Sequence, residues 1–425
     1  MKDGGNWSST VKSSTDGALI DYWYAKPVSM HSFDETVVTI RAKQHNFSFA
    51  GREVADGKRI FIRDYGVLLK PVKDATTYAD AVAAYQKAQK TVYQKVAELP
   101  EQKLERAWSD MPQKGRIYMP VAVEGGRQHF RIRNDANVQI SSNWHNRVKG
   151  EDSGKCLWPG RELYINFGIP RDNGATTGAS IEDGNMPIVT TWYERDGVRY
   201  TEDAFATTLV GKLPKEGRVR AEEPQVLMLR FRLTNFGDKP AKITIPIDVK
   251  ANKAEELVLR DGLIYGKMEQ GEALRMYVNA NGAASLTANG TQVNCEIGVP
   301  SKETREFFIN MAFQTLSAPA EIEQLKSLDY TKQHDMIASY WRKRIAQGCQ
   351  IVTPEPMLND FYSANITHQL INTENEVGTT ERAMPKVGTF YYGVYCNESV
   401  MMLSEIDRRG FHDVAQKAYE TWLHY

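Results

Sequence analysis

Short apolar segments recur along the chain from about Ile20 to Phe313, and Gly, Asn, Asp or Pro residues separate them. In several of these segments, such as residues 36–42 and 226–234, apolar and polar side chains alternate, which is typical of strands with one buried face. On the order of a dozen strands is too many for one small sheet. The pattern therefore predicts two large antiparallel sheets that pack face to face as a β-sandwich.

Turn sequences join two pairs of these segments. Residues 116–123 and 129–133 flank Glu124-Gly125-Gly126, and residues 226–234 and 241–249 flank a turn at 235–238. Gly, Asn and Asp are residues that tight turns favour. The first pair is predicted to be two strands separated by a turn, and the second a hairpin with one face buried.

One helical insertion interrupts this β region. Between Thr76 and Asp110 the apolar residues are spaced three and four apart, which is typical of an amphipathic helix. Pro100 is expected to divide the stretch into a long and a short helix. We interpret it as a helical pair beside the sandwich, in preference to a coiled coil that binds a partner.

After Phe313 the spacing of apolar residues becomes helical. Residues 320–347 predict a pair of linker helices, and residues 358–371 predict a further helix. A loop from Asn372 to Cys396 follows, and then two helices at 398–408 and 411–425 are joined at Gly410, which can supply a left-handed C-cap. The fold class predicted is mainly β with α, and the domains are a β-sandwich over 1–315, a helical linker over 316–353 and a helical domain over 354–425.

The composition excludes several classes of function. The 425 residues include 53 basic and 53 acidic side chains, so no net charge favours binding to nucleic acid or to an anionic membrane. An apolar run of about 18 residues, which a membrane-spanning helix needs, is absent. Phosphate-binding loops, nucleophile elbows and H-E-x-x-H zinc motifs are also absent. The four cysteines are Cys156, Cys295, Cys349 and Cys396. They lie far apart and do not have the spacing of zinc ligands, so we predict no metal site. We predict no cofactor either.

The order of two sets of segments resembles the six-hairpin glycosidase superfamily. The first set is residues 190–206, which contain Gly197-Val198, Tyr200 and Ala204-Phe205-Ala206, followed by the turn at Asn235. The second set is residues 356–360, 385–392, 397–399 and 409–416. The resemblance implies an N-terminal β-supersandwich over 1–315, the linker over 316–353 and the first part of an (α/α)6 toroid over 354–425. We therefore expect the sequence to be a fragment that lacks most of the toroid.

The resemblance implies that the chain acts on carbohydrate, as part of a glycoside hydrolase that cleaves glycosidic bonds by carboxylate acid–base chemistry. The catalytic carboxylates of such enzymes usually come from later hairpins, beyond Tyr425, so no catalytic residue is assigned and these residues alone are predicted to be inactive. Two alternatives stay open: a glycoside phosphorylase, and a noncatalytic carbohydrate-binding β-sandwich protein.

Members of this superfamily place a sugar-binding loop before the second toroid helix. The corresponding substrate-binding residues here are Phe390, Tyr391, Tyr392, Tyr395, Asn397 and Glu398. The four aromatic rings are suited to stacking on a pyranose, and the alternative is that they pack in a core. Glu398 can accept hydrogen bonds from sugar hydroxyls, or it can simply stabilise the start of a helix. Asn397-Glu398 replaces the Arg-Asp pair that related enzymes often carry, so the guanidinium is lost.

Four other carboxylates, Asp360, Glu374, Glu376 and Glu381, are predicted to lie on the solvated surface. The expected partner is an oligosaccharide or glycoside substrate, with no nucleic acid and no membrane span. Residues at the start show no signal peptide, and an extracytoplasmic or secreted location is nevertheless expected. The sugar, the linkage, the stereochemical outcome and the oligomeric state are left open.

Overall fold

The computed structural model describes residues 9–14, 17–22, 37–41, 46–87, 92–99, 118–133, 135–140, 163–168, 176–215, 217–251, 253–269, 271–386 and 395–425. The chain divides into two compact units, Met1–Gln102 and Lys103–Tyr425. The predicted boundaries at 315/316 and 353/354 stay predictions.

In its described residues the first unit contains three two-stranded antiparallel pairs and short helices. Thr77 and Asp80 cap the longest helix reciprocally, since the Asp80 amide donates to Thr77 Oγ1 (3.1 Å) and the Thr77 amide donates to Asp80 Oδ2 (2.8 Å). The pairs are β1 (Ser9–Ser14) with β2 (Gly17–Tyr22), β3 (Val37–Arg41) with β4 (Asn46–Ala50), and β5 (Ile60–Ile62) with β6 (Val67–Leu69). The helices are α1 (Gly51–Ala55), α2 (Tyr78–Lys87) and α3 (Val92–Ala97).

The second unit contains two large antiparallel sheets. The seven-stranded sheet has the order β19-β20-β15-β10-β9-β8-β7, and the eight-stranded sheet has the order β11-β12-β13-β14-β21-β18-β17-β16. The strands of the first are β7 (Tyr118–Val121), β8 (Phe130–Arg133), β9 (Val138–Ile140), β10 (Leu163–Asn166), β15 (Ala241–Lys250), β19 (Ala284–Asn289) and β20 (Gln292–Val299). Those of the second are β11 (Thr176–Ile181), β12 (Val189–Arg195), β13 (Val198–Thr208), β14 (Gln225–Asn235), β16 (Leu257–Arg260), β17 (Leu263–Lys267), β18 (Glu272–Asn279) and β21 (Thr304–Ala312).

One apolar core lies between these two sheets. Alternate residues of both sheets enter it, as the period-two pattern of the sequence requires. Phe231 stacks on Phe307 with ring centroids 4.9 Å apart, and Phe167 from the facing sheet lies 4.9 Å from Phe231. The predicted mainly-β fold with two large antiparallel sheets is confirmed.

The predicted hairpin of residues 226–234 and 241–249 is wrong. Strand β14 pairs with β13 and β21, whereas β15 pairs with β10 and β20 in the other sheet. The connection between them therefore crosses from one sheet to the other. Asn235 holds it, because its Nδ2 donates to Lys239 O (2.8 Å) and its Oδ1 accepts from the Gly237 amide (2.8 Å). Alternation specifies a buried face but not the partner strand.

Helices cover the other face of the eight-stranded sheet. Phe205, Val226 and Met228 of the sheet share a second core with Ile337 and Trp341 of the helices. The helices are α4 (Pro319–Ser327), α5 (Tyr330–Ala346), α6 (Pro356–Asn372), α7 (Cys396–Arg408) and α8 (His412–His424). A small hairpin of β22 (Thr373–Asn375) and β23 (Ala383–Pro385) follows α6.

The turn between α7 and α8 has the predicted conformation. Gly410 adopts a φ of 90°, and the Phe411 amide donates to Ile406 O (3.1 Å) at the helix end. Whether these helices begin an (α/α)6 toroid stays a prediction. Within the described ranges, every helix is too short or too polar to cross a membrane.

Candidate functional site

Charged and polar side chains are buried or partly buried where the turn between β7 and β8 meets α5 and the β22–β23 hairpin. We call this group the polar junction. Its members are Glu124, Arg127, His129, Arg218, Tyr340, Arg344, Glu374, Asn375 and Lys386. Such a concentration of buried charge is unusual in a protein interior, where charged groups need partners.

Glu124 clamps the turn of the sandwich to α5. Its side chain is fully buried, and its Oε1 lies 2.6 Å from Arg218 Nη1 and 3.0 Å from Arg344 Nη2. The Tyr340 hydroxyl donates a further hydrogen bond to its Oε2. Burial alone would raise the pKa of Glu124, but the two guanidinium groups outweigh it and hold this pKa below its ordinary value. Glu124 is therefore an ionised carboxylate at neutral pH.

The two glycines after Glu124 allow the hairpin to approach the turn closely. Gly125 has a φ of 89°, and a Cβ there would lie 2.6 Å from Asn375 Nδ2. The Asn375 amide donates to Gly125 O (2.8 Å), and Asn375 Nδ2 donates to Val219 O (2.7 Å). A side chain at Gly126 would also collide, with Gln225. The Glu-Gly-Gly sequence thus suits close backbone packing as well as a turn.

Glu374 is the second carboxylate of the polar junction and is 1% exposed. It forms an ion pair with Lys386, and its two oxygens lie 3.4 Å from Arg127 Nε and 3.6 Å from His129 Nε2. Burial lowers the pKa of Lys386, and Arg127 lowers it further, against the opposing effect of Glu374. Burial also lowers the pKa of His129, assisted by Lys386. The neutral imidazole donates from Nε2 to Gly126 O, at 3.2 Å.

Two of the four predicted surface carboxylates are buried instead. Glu374 is 1% and Glu376 is 9% exposed, and Glu376 forms an ion pair with Arg382. Their burial arises because the β22–β23 hairpin folds against a sandwich turn that is about 250 positions earlier in the sequence. Asp360 and Glu381 are exposed, as predicted.

Three of the six predicted substrate-binding residues belong to the segment 387–394, and the other three follow it. Phe390, Tyr391 and Tyr392 fall outside the described residues. Tyr395, which is 49% exposed, precedes α7, and the side chains of Asn397 and Glu398 are exposed in its first turn. These three residues are brought together at one helix end.

Pro385 and Tyr395, which are described on either side of segment 387–394, are both hydrogen-bonded to Ser399. On the first side, the Lys386 amide donates to Asn372 O (2.9 Å) and its ammonium enters the polar junction. On the second side, Ser399 Oγ donates to Pro385 O (3.1 Å), and the Ser399 amide donates to Tyr395 O (2.9 Å). The polar junction therefore positions Lys386, the last described residue before this segment.

The chemistry of the polar junction favours positioning rather than acid–base catalysis. Glu124 and Glu374 are both buried and ion-paired with basic side chains, and the lowered pKa of Glu124 keeps that carboxylate from donating a proton near neutral pH. Across the described ranges no cluster of three or more His, Cys, Asp or Glu side chains could hold a metal ion. Sequence reasoning missed Arg127, His129 and Lys386, and the only local signal was the pair of glycines beside charged residues.

Comparison with known proteins gives no family for the chain. No protein-family model and no curated protein matches it. Among solved structures, it is similar to a bacterial glucoamylase complexed with acarbose, with 11% identity, a TM-score of 0.38, and coverage of 73% of this chain and 51% of that one.

Two other solved structures show weaker similarity. A kojibiose phosphorylase described as putative, from the human microbiome, has 10% identity and a TM-score of 0.32, over 60% of this chain and 35% of that one. An α-mannosidase from Bacteroides thetaiotaomicron has 10% identity and a TM-score of 0.23, over 61% and 38%. The chain thus spans about half the length of the glucoamylase and less of the other two. These low values define neither a family nor an activity for it.

Proposed function

We propose that the chain is a carbohydrate-active protein, as part of a glycoside hydrolase, and that it contacts sugar through Phe390, Tyr391, Tyr392, Tyr395, Asn397 and Glu398. The observation that carries this proposal is the surface at the start of α7, where Tyr395, Asn397 and Glu398 are exposed together. Pro385 lies beside it, since Ser399 Oγ donates to Pro385 O (3.1 Å).

The exposed groups suit recognition of a pyranose. A half-exposed tyrosine ring such as that of Tyr395 can stack on the apolar face of a sugar while its hydroxyl stays in water. Glu398 offers two acceptor oxygens, and Asn397 offers both a donor and an acceptor. Phe390, Tyr391 and Tyr392 would supply further rings.

The catalytic acid and base are proposed to lie beyond Tyr425, as the sequence resemblance implies. A general acid needs a carboxyl group that substrate can reach and whose pKa is raised. Glu124 and Glu374 are buried in ion pairs, where substrate cannot reach them. The same observation favours the second candidate, a noncatalytic carbohydrate-binding protein.

Binding of an oligosaccharide panel, measured by calorimetry, tests the proposal. We expect Glu398→Gln to weaken binding about tenfold or more, because a hydrogen bond to a charged group contributes about 1.5–3 kcal/mol. Tyr395→Ala should weaken it by up to about tenfold, because it removes the ring that stacks on the sugar. Tyr419→Ala and Glu420→Gln are matched controls on α8, since Tyr419 is 42% exposed and Glu420 is also exposed. The thermal midpoints of all four variants should stay close to that of the parent chain.

Three outcomes are decisive. If sugars bind but Tyr395→Ala and Glu398→Gln bind as tightly as the controls, the surface at α7 is not the site. If no sugar in the panel binds, the carbohydrate assignment fails for this chain. Release of free sugar by a longer chain, with or without added phosphate, separates hydrolysis from phosphorolysis.

A further inference from the structure

An acidic side chain faces the interior of the β-sandwich. In the register of β12 and β13, Glu202 lies opposite Thr191, and the next pair of the same face, Val189 and Ala204, belongs to the apolar core between the sheets. On β14, Glu202 is opposite Phe231, another core residue. Because alternate residues of a strand share a face, Glu202 lies between the two sheets.

Glu202 has no hydrogen-bond partner there. The residue is 1% exposed, and neither carboxyl oxygen is hydrogen-bonded within the described part of the chain. The same holds for Thr191 Oγ1 and for the hydroxyl of Tyr193, one step further along β12, and both residues are 4% exposed. An ionised carboxylate in such surroundings is very costly unless it is paired.

The nearest charges do not provide that pairing. The titratable and charged groups around Glu202 are Tyr193 on β12, Tyr200 and Asp203 on β13, and Arg133 and Asp135 at the turn between β8 and β9. Arg133 is engaged with Asp135 at 2.8 Å. Burial raises the pKa of Glu202 well above its ordinary value, and the negative charges of Asp203 and Asp135 raise it further.

We propose that Glu202 is a proton-controlled switch in the sandwich. As a neutral carboxylic acid it fits between the sheets, where its hydroxyl can donate to a neighbouring oxygen such as Thr191 Oγ1. As a carboxylate it requires water, which can reach it only if the β12–β13 end of the sandwich opens. Strand β13 also carries Asp203, which holds Arg230 and Arg232 on the opposite face, at 3.0 Å and 2.9 Å. Opening at Glu202 therefore disturbs the strand on which this second network depends.

The direction of the pH effect follows from linkage. When the pKa of a carboxyl group is higher in the folded chain than in the unfolded chain, its protonation stabilises the folded state. For Glu202 this stabilisation is fully present below the pKa of the unfolded chain, near 4.5. Above that pH the stabilisation is progressively lost, until the pH reaches the folded pKa. Within this window the folding equilibrium falls by up to about tenfold per pH unit from this one group.

Thermal unfolding between pH 4.5 and 8 tests the switch in the parent chain and in Glu202→Gln. We expect the variant to have the higher midpoint at pH 8 and the difference to shrink towards pH 4.5, because glutamine keeps the shape but cannot ionise. Glu296→Gln is the control, since Glu296 is on β20, where it pairs with Lys242 and is 38% exposed. Hydrogen exchange in residues 189–204 should rise with pH more in the parent chain than in Glu202→Gln, after correction for intrinsic exchange.

Parallel pH profiles for the parent chain and Glu202→Gln would overturn the proposal. Should Glu202→Gln fail to fold, infrared spectroscopy of the parent chain decides, because a buried neutral carboxyl group keeps its C=O band at pH 7. Absence of that band overturns the proposal. An increase of the thermal midpoint with Ca²⁺ in the parent chain, but not in Glu202→Gln, also overturns the proposal. The carboxylate would then be ionised and bound to metal.

Discussion

Replacing Glu124 by Gln tests whether the polar junction holds the helical layer on the sandwich. The substitution keeps the shape of the side chain and removes its charge. It leaves Arg218, whose side chain is 6% exposed, and Arg344, at 11%, without the carboxylate that both of them contact. Arg218 keeps hydrogen bonds to Thr373 O and Asn375 Oδ1, and Arg344 keeps Asp413. The loss is therefore that of one central partner, not of the whole network.

Removing one partner of a buried ion pair costs about 3–5 kcal/mol, because the remaining charge stays buried. We expect a loss in this range in the free energy of unfolding of Glu124→Gln at pH 7. Urea unfolding measures it as a shift of the midpoint at unchanged slope. Since the pKa of Glu124 is lowered in the folded chain, its contribution is present above the ordinary value and is lost as the pH falls. The difference between the parent chain and the variant should therefore shrink in acid.

Glu256→Gln is the matched control for this prediction. Glu256 also forms an ion pair, with Lys267, but its side chain is 58% exposed. Exposed pairs contribute about 0–1 kcal/mol. If Glu124→Gln destabilises the chain no more than Glu256→Gln does, the polar junction is not what holds the turn to α5.

Two further predictions concern the cores. Burial raises the pKa of the Cys295 thiol to about 12, so Cys295 should resist alkylation at pH 8 in the folded chain. The exposed Cys349 and Cys396 should react. Mass spectrometry of the labelled peptides measures the difference. Equal labelling of all three would contradict the burial of Cys295. Trp341→Ala should lower the free energy of unfolding by about 3–5 kcal/mol, because Trp341 of α5 is 1% exposed in the core. Leu423→Ala is the control: Leu423 is 87% exposed, so its replacement should change the denaturation midpoint little.

Much of the fold could be predicted from local patterns. The period-two segments between Ile20 and Phe313 indicated two buried sheets, and the change to helical spacing indicated the helices that follow. The partner of each strand was harder to predict. Strands β14 and β15 alternate as a hairpin would, and five residues connect them, yet they enter different sheets. The same Asn-x-Gly sequence can form a hairpin turn or a connection that crosses from one sheet to the other. Only tertiary packing decides which of the two forms.

The polar junction could not be predicted because its members are distant in sequence. Glu374 meets Arg127 and His129 only after the sandwich and the helices have packed. Nothing near Glu374 in the sequence marks it as buried, and an acidic residue in a loop is ordinarily exposed. The surface at Tyr395 and Glu398 lies at a helix start, where local signals are stronger.

Strand β14 (Gln225–Asn235) belongs to both apolar cores at once. Leu229 and Phe231 point to the facing sheet, and Val226 and Met228 point to the helices. A protein shortened at residue 315 would keep the strand but expose the apolar face that the helices cover. Such a face is prone to aggregation. The β-sandwich and the helices are thus unsuited to separate production, because each needs strand β14 to complete its own core.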